Sequence, residues 1–134
     1  MSEGHTGVIG SVTTFTKQVS EADIALFSLV TRDEAVELTE PPAPVRQPRQ
    51  AAPYPLLAAL LAAAAARHAP PTLPARFARQ DVRFSQPIYT DDILCAVAEI
   101  AGYDEASRTL HIHAACENQD GLRLAEGDFY LLAD

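Results

Sequence analysis

Two histidines, His111 and His113, stand two residues apart in an apolar, strand-like run. On a strand that spacing turns both rings to one face, as a pair of metal ligands would need. No third ligand follows nearby in the sequence, and a zinc site requires more. The pair therefore reads as a polar strand face, and no metal is expected. Asp91 and Asp92 are adjacent carboxylates in a turn, where both are expected to face solvent. Cys95 and Cys116 each lie in a strand-like apolar run and read as core thiols in a reducing compartment. His68 closes an apolar helix and complements its negative end. A Gly-rich phosphate loop, a Gly-x-Ser-x-Gly elbow and a Cys-x-x-Cys pair are all absent.

The arginines are unevenly placed. Six of them (Arg46, Arg49, Arg67, Arg76, Arg79 and Arg83) lie between Pro41 and Thr90 against a single acid, Asp81. The remainder carries 17 acids against four basic residues. Such a cluster either holds ligand phosphates or pairs with the acids of a neighbouring subunit, and both readings fit.

The elements that must position these groups follow from pattern. Val8 to Val19 alternates loosely and is rich in Val, Thr and Phe, as an edge strand is. Ser20 opens a helix, with Asp23 completing a capping box. Ala22, Ala25, Leu26, Leu29 and Val30 form one apolar stripe, expected to face the core. Residues 41–55 hold six of the ten prolines and form a loop, disordered or lying along the surface. Leu56 to Ala66 contains only Leu and Ala, so it predicts a helix buried all round. Strands are expected over Phe77–Phe84, Ile93–Tyr103, Leu110–Cys116 and Leu122–Leu132, in antiparallel succession and with a bulge at Gly127. This order is α+β: an antiparallel sheet wrapped around a long central helix, a hot-dog arrangement.

Composition narrows the classes. The chain has 134 residues, 48% of them hydrophobic, enough for one domain over residues 1–134 with a sizeable core. A net charge of −8 repels phosphate backbones, so no nucleic-acid partner is expected. No leader is recognised, and the longest uncharged apolar run is too short to span a membrane. A soluble cytoplasmic protein without membrane contact is expected.

Three stretches resemble the MaoC-like hydratase and dehydratase family, the (R)-specific enoyl-CoA hydratases among them. Phe15 to Phe27 is similar to its opening strand and helix, and Leu56 onward to its central helix. Val82-Arg83-Phe84-Ser85-Gln86-Pro87-Ile88-Tyr89-Thr90-Asp91-Asp92-Ile93-Leu94 is similar to its strand, Pro-Val/Ile turn and Gly-Asp-x-Leu. The resemblance spans about Val8 to Ala133. It implies an acyl thioester of coenzyme A or a carrier protein as ligand, no cofactor, and a homodimer or a hetero-oligomer with another hot-dog subunit.

The departures bear on activity. The family's Gly-Asp-x-Asn-Pro-x-His places its Gly at Arg32, its Asp at Asp33 and its His at Leu38. Pro53 and Tyr54 stand where its His-Gly pair opens the central helix. Leu38 cannot move a proton, and a Tyr54 side chain crowds the approach of an oxyanion to the backbone. Asp33 remains as a lone candidate base; a solvated surface charge is the simpler reading. Tyr54, Arg76, Arg79 and Arg83 are the candidate substrate-binding residues. The expected function is a hydratase/dehydratase homologue with a nonstandard or lost Asp/His centre, acting as a ligand-binding or noncatalytic subunit. The alternative is a rebuilt site that dehydrates or cyclises a biosynthetic intermediate. A hot-dog thioesterase ranks lower, because the central helix carries no acid.

Overall fold

A computed structural model describes residues 9–31, 50–69 and 75–133. Within them, five antiparallel strands and two helices follow in the order β1 (Val12–Gln18), α1 (Glu21–Thr31), α2 (Tyr54–His68), β2 (Ala75–Phe84), β3 (Ile93–Asp104), β4 (Thr109–Glu117) and β5 (Arg123–Ala133). The sheet order is β1-β3-β4-β5-β2. β3, β4 and β5 form the expected meander, with β1 at one edge. β2, expected beside β3, instead crosses to the far edge and pairs with β5. Residues 85–92, which include Pro87, supply that crossover in place of a hairpin turn.

One sheet face supplies the core. Leu94, Ala96, Ala98 and Ile100 of β3, Leu110, Ile112, Ala114 and Cys116 of β4, and Phe129 and Leu131 of β5 are buried against α2. The helix answers with Leu56, Leu57, Leu61, Ala64 and Ala65. It is not buried all round: Ala59 and Ala66 are exposed, because a single sheet covers a single side. Helix α2 packs on β1, β3, β4 and β5 and makes little contact with β2. It begins two residues before the all-Leu/Ala run, with Pro55 in its first turn, where a missing N–H costs nothing. Its other end is tied to β1, since His68 Nε2 lies 2.8 Å from the Ser11 carbonyl and Arg67 covers the Phe15 ring at 5.0 Å.

Helix α1 starts as read. Asp23 N–H donates to Ser20 Oγ at 3.1 Å, and Ser20 N–H donates to Asp23 Oδ2 at 2.8 Å. Lys17 adds an ion pair at 3.0 Å. The Ser20 backbone bond, with lesser help from Lys17, outweighs burial and holds the Asp23 carboxyl below its ordinary value. The apolar stripe, however, faces outward: Leu26, Leu29 and Val30 are 61%, 62% and 71% exposed. Ile24 is the buried anchor, with Phe27 packed against the core, and fixing those two rotates the stripe away.

Two further expectations are corrected. Gly127 is not a bulge; it pairs in register with both Val82 and Ala114, and the irregularities fall at Phe77/Arg79, Ile100/Gly102 and Cys116/Glu117. Cys95 is exposed on β3, because the strand alternates and its even-numbered residues face the core. Cys116 is buried as read, and burial pushes its thiol up to about 11.

Candidate functional site at the mouth of the central helix

Residues 50–52 lead into α2 along the turn after β2. Ala52 N–H donates to the Ile88 carbonyl and Thr90 N–H to the Gln50 carbonyl, both at 2.8 Å, and Ala51 bridges Tyr89. Pro53 caps the helix without a side-chain bond, and its carbonyl accepts from Leu56 N–H at 2.9 Å. Tyr54, in the first turn, stacks on Phe84 of β2 with ring centroids 4.6 Å apart and planes 18° from parallel. Both rings stay open to solvent, Tyr54 at 41% and Phe84 at 37%.

The inner face of β2 extends this aromatic pair. Phe77, Gln80, Val82 and Phe84 lie opposite Leu131, Phe129, Gly127 and Ala125. Phe77 and Phe84 are seven residues apart, a spacing that puts them on opposite faces of a regular strand. The bulge between Phe77 and Arg79 brings both inward. Phe77 meets Phe129 edge-on at 6.1 Å yet remains 44% exposed. Since α2 covers little of β2, Tyr54, Val82 and Phe84 form an apolar shelf beside the helix mouth, and Phe77 continues the same face roughly 20 Å further along the strand. Regular alternation along β2 would put Phe77 with Arg79 and Arg83; the bulge that prevents it carries no residue signal in the sequence.

The candidate residues do not converge. Arg76, Arg79 and Arg83 lie opposite Leu132, Tyr130 and Glu126, on the sheet face turned away from Tyr54. Arg79 and Arg83 there meet an aromatic ring and an acid of their own chain. Arg83 reaches Glu126 at 3.4 Å, Arg123 reaches it at 2.9 Å, and the Arg79 guanidinium lies 5.2 Å over the Tyr130 ring. Asp33 and Leu38, together with Arg32, Arg46 and Arg49, lie outside the described residues.

His111 and His113 share the outer face as their spacing implied. Both turn to one oxygen, Asp128 Oδ1, with His111 Nε2 at 2.8 Å and His113 Nδ1 at 3.1 Å. A neutral ring at each position carries its proton on the nitrogen nearer the carboxylate. Burial raises the Asp128 carboxyl, but the two histidine bonds together outweigh it and hold the group below its ordinary value. His111 also stacks on Tyr130, with centroids 4.7 Å apart. Among the described residues, no set of three or more such side chains is arranged to hold a metal ion.

Asp92 departs most from its expected solvent-facing position. It is 3% exposed, and its carboxylate accepts from Tyr89 N–H and Gln119 Nε2–H, each at 2.9 Å. The turn carries it inward because Asp91 adopts a left-handed backbone at φ 74°, where the resembling motif has glycine.

No protein-family model matches this sequence, and no curated protein sequence matches it. Solved structures do. An (R)-hydratase from A. caviae involved in PHA biosynthesis superposes with a TM-score of 0.73 at 18% identity, covering 94% of this chain and 96% of that one. The unliganded R-hydratase PhaJ1 from Pseudomonas aeruginosa gives 0.71 at 23% identity, over 93% and 81%. The ChsH1–ChsH2 complex from Mycobacterium tuberculosis gives 0.69 at 16% identity, over 95% and 98%. The likeness is one of fold.

Proposed function

From the premise that this chain has the hot-dog fold shared by those hydratases, we propose that it binds an acyl thioester, or a related small molecule, without hydrating simple enoyl thioesters. The observation that carries this reading is the Tyr54–Phe84 stack at the mouth of α2. An open apolar shelf suits an acyl group, and each buried methylene contributes about 0.8 kcal/mol. On the family resemblance Tyr54 takes the place of the glycine whose open backbone receives an oxyanion, and Pro55 removes one N–H donor from the same turn. Leu38 offers no proton in place of the family's histidine.

A noncatalytic subunit paired with a second hot-dog chain is one form of this reading; the ChsH1–ChsH2 complex from M. tuberculosis supports the pairing. Among the described residues, the outer edges of β1 and β2 are without a strand partner and give such a pairing somewhere to form. A rebuilt dehydratase or cyclase using Asp33 is the first alternative, and a hot-dog thioesterase ranks below it.

The test compares wild type with Asp33→Asn and Leu38→His on crotonyl-CoA, following both hydration and binding by calorimetry. Wild type is expected to bind without measurable turnover, and Asp33→Asn to bind equally. Robust hydration that is lost in Asp33→Asn would overturn the proposal, since one general base contributes roughly a hundred- to ten-thousand-fold.

A further inference from the structure

The turn between β2 and β3 holds the lead-ins of both helices. Asp91 N–H donates to the Val19 carbonyl at 2.7 Å and Val19 N–H to the Asp92 carbonyl at 2.9 Å, just before α1. On its other side Ile88 and Thr90 grip Gln50 and Ala52, and Pro53 and Tyr54 follow directly. Buried Asp92 lies beneath this turn. Its Oδ2 takes the Tyr89 N–H, and its Oδ1 takes an Nε2–H of Gln119 from the β4–β5 turn. Gln119 Oε1 in turn accepts from Ile93 N–H at 2.9 Å.

These bonds run in one direction only. With its oxygen held by Ile93 N–H, the Gln119 amide must present N–H groups to its neighbour. That neighbour must also accept from Tyr89 N–H. A carboxylate accepts at both oxygens, whereas an asparagine would set N–H against N–H at one of the two contacts. Flipping Gln119 moves the clash to Ile93 without removing it.

We propose that Asp92 and Gln119 form a latch of fixed hydrogen-bond direction that positions the mouth of α2, and therefore Tyr54 over Phe84. Both are positioning residues for the apolar shelf. The latch is a statement about geometry, and only its effect on ligand binding rests on the function proposed above.

The direction makes the latch testable by exchange. Asp92→Asn breaks one contact, and Gln119→Glu sets two carboxylates against each other. The double variant restores these three bonds, because the introduced amide can donate to the introduced carboxylate, which still accepts from Ile93 N–H. Amide exchange at Ala52 and Thr90, with the nuclear Overhauser contact between the Tyr54 and Phe84 rings, reads the geometry without ligand. Each single variant is expected to speed exchange at least about tenfold and weaken the ring contact, and the double variant to return within about threefold of wild type. Single variants that leave both readouts unchanged, or a double variant no better than the singles, would overturn the latch. If neither single variant folds, a double variant that behaves as wild type supports it and an unfolded one refutes it. Crotonyl-CoA affinity should follow the same pattern. If exchange follows the pattern while wild type binds no crotonyl-CoA, the latch stands and the function reading falls.

Discussion

At Gly127 the Cα faces the Asp81 backbone oxygen across the β2–β5 pair, and a methyl group built there would sit 2.7 Å from it and 3.0 Å from Val82 Cγ2. Backbone cannot yield as a flexible side chain can. Gly127→Ala is expected to cost about 1–3 kcal/mol, read as a lower urea midpoint with unchanged slope. A glycine amid strand residues signals either a bulge or a close approach, and the sequence does not distinguish them. Other residues were more legible. The Ser20–Asp23 box is local, so its spacing alone announced it. Burial of Asp92 was hidden because its partner, Gln119, is distant in sequence, and exposure of Cys95 was hidden because strand phase depends on where α2 lies.

Among the elements, α2 was the plainest from sequence and its orientation the least plain. A run of Leu and Ala announces a helix but has no polar residue to say which side faces the sheet. The structure puts Leu57, Leu61, Ala64 and Ala65 on the inside and Ala59 on the outside. Leu61→Asp and Ala64→Asp are expected to abolish soluble expression, since an unpaired charge buried there has no answering group. Ala59→Asp is expected to retain a folded chain by circular dichroism, whatever it does to assembly. The α1 stripe and the β2 alternation misled for a related reason. Periodicity finds a face, but a buried anchor such as Ile24 or a bulge such as that at Phe77/Arg79 decides where that face points.

Across the whole molecule the outer sheet face is a chain of contacts, from Arg79 through Tyr130, His111, Asp128 and His113 to Glu126 and its arginines. Counting charges along the sequence suggested a basic surface, whereas the fold sets Arg83 against Glu126 and Arg79 over the Tyr130 ring, both from a strand far along the chain. Asp128 at its centre gives the network a sign with pH. Its folded carboxyl lies below the ordinary 3.8, so between the two values the unfolded chain binds the extra proton. The contribution to stability is fully present above 3.8 and is lost as pH falls through the depressed value. Asp128→Asn is therefore expected to unfold at lower urea than wild type at neutral pH. The two midpoints should converge once acid has protonated the carboxyl in the folded protein as well.

The strand order also dictates when the fold can exist. Among the described residues, β1 has its only strand partner in β3, and β2 has its only partner in β5, whose last residue is Ala133. A chain leaving the ribosome therefore presents two unpaired strands and a Leu/Ala helix while the C-terminal meander is still to be made. The meander needs only short hairpin closures, whereas each edge strand must wait for a distant partner. Until β5 emerges, that helix has no completed sheet to bury it, and this interval is when the nascent protein most needs shielding from its neighbours.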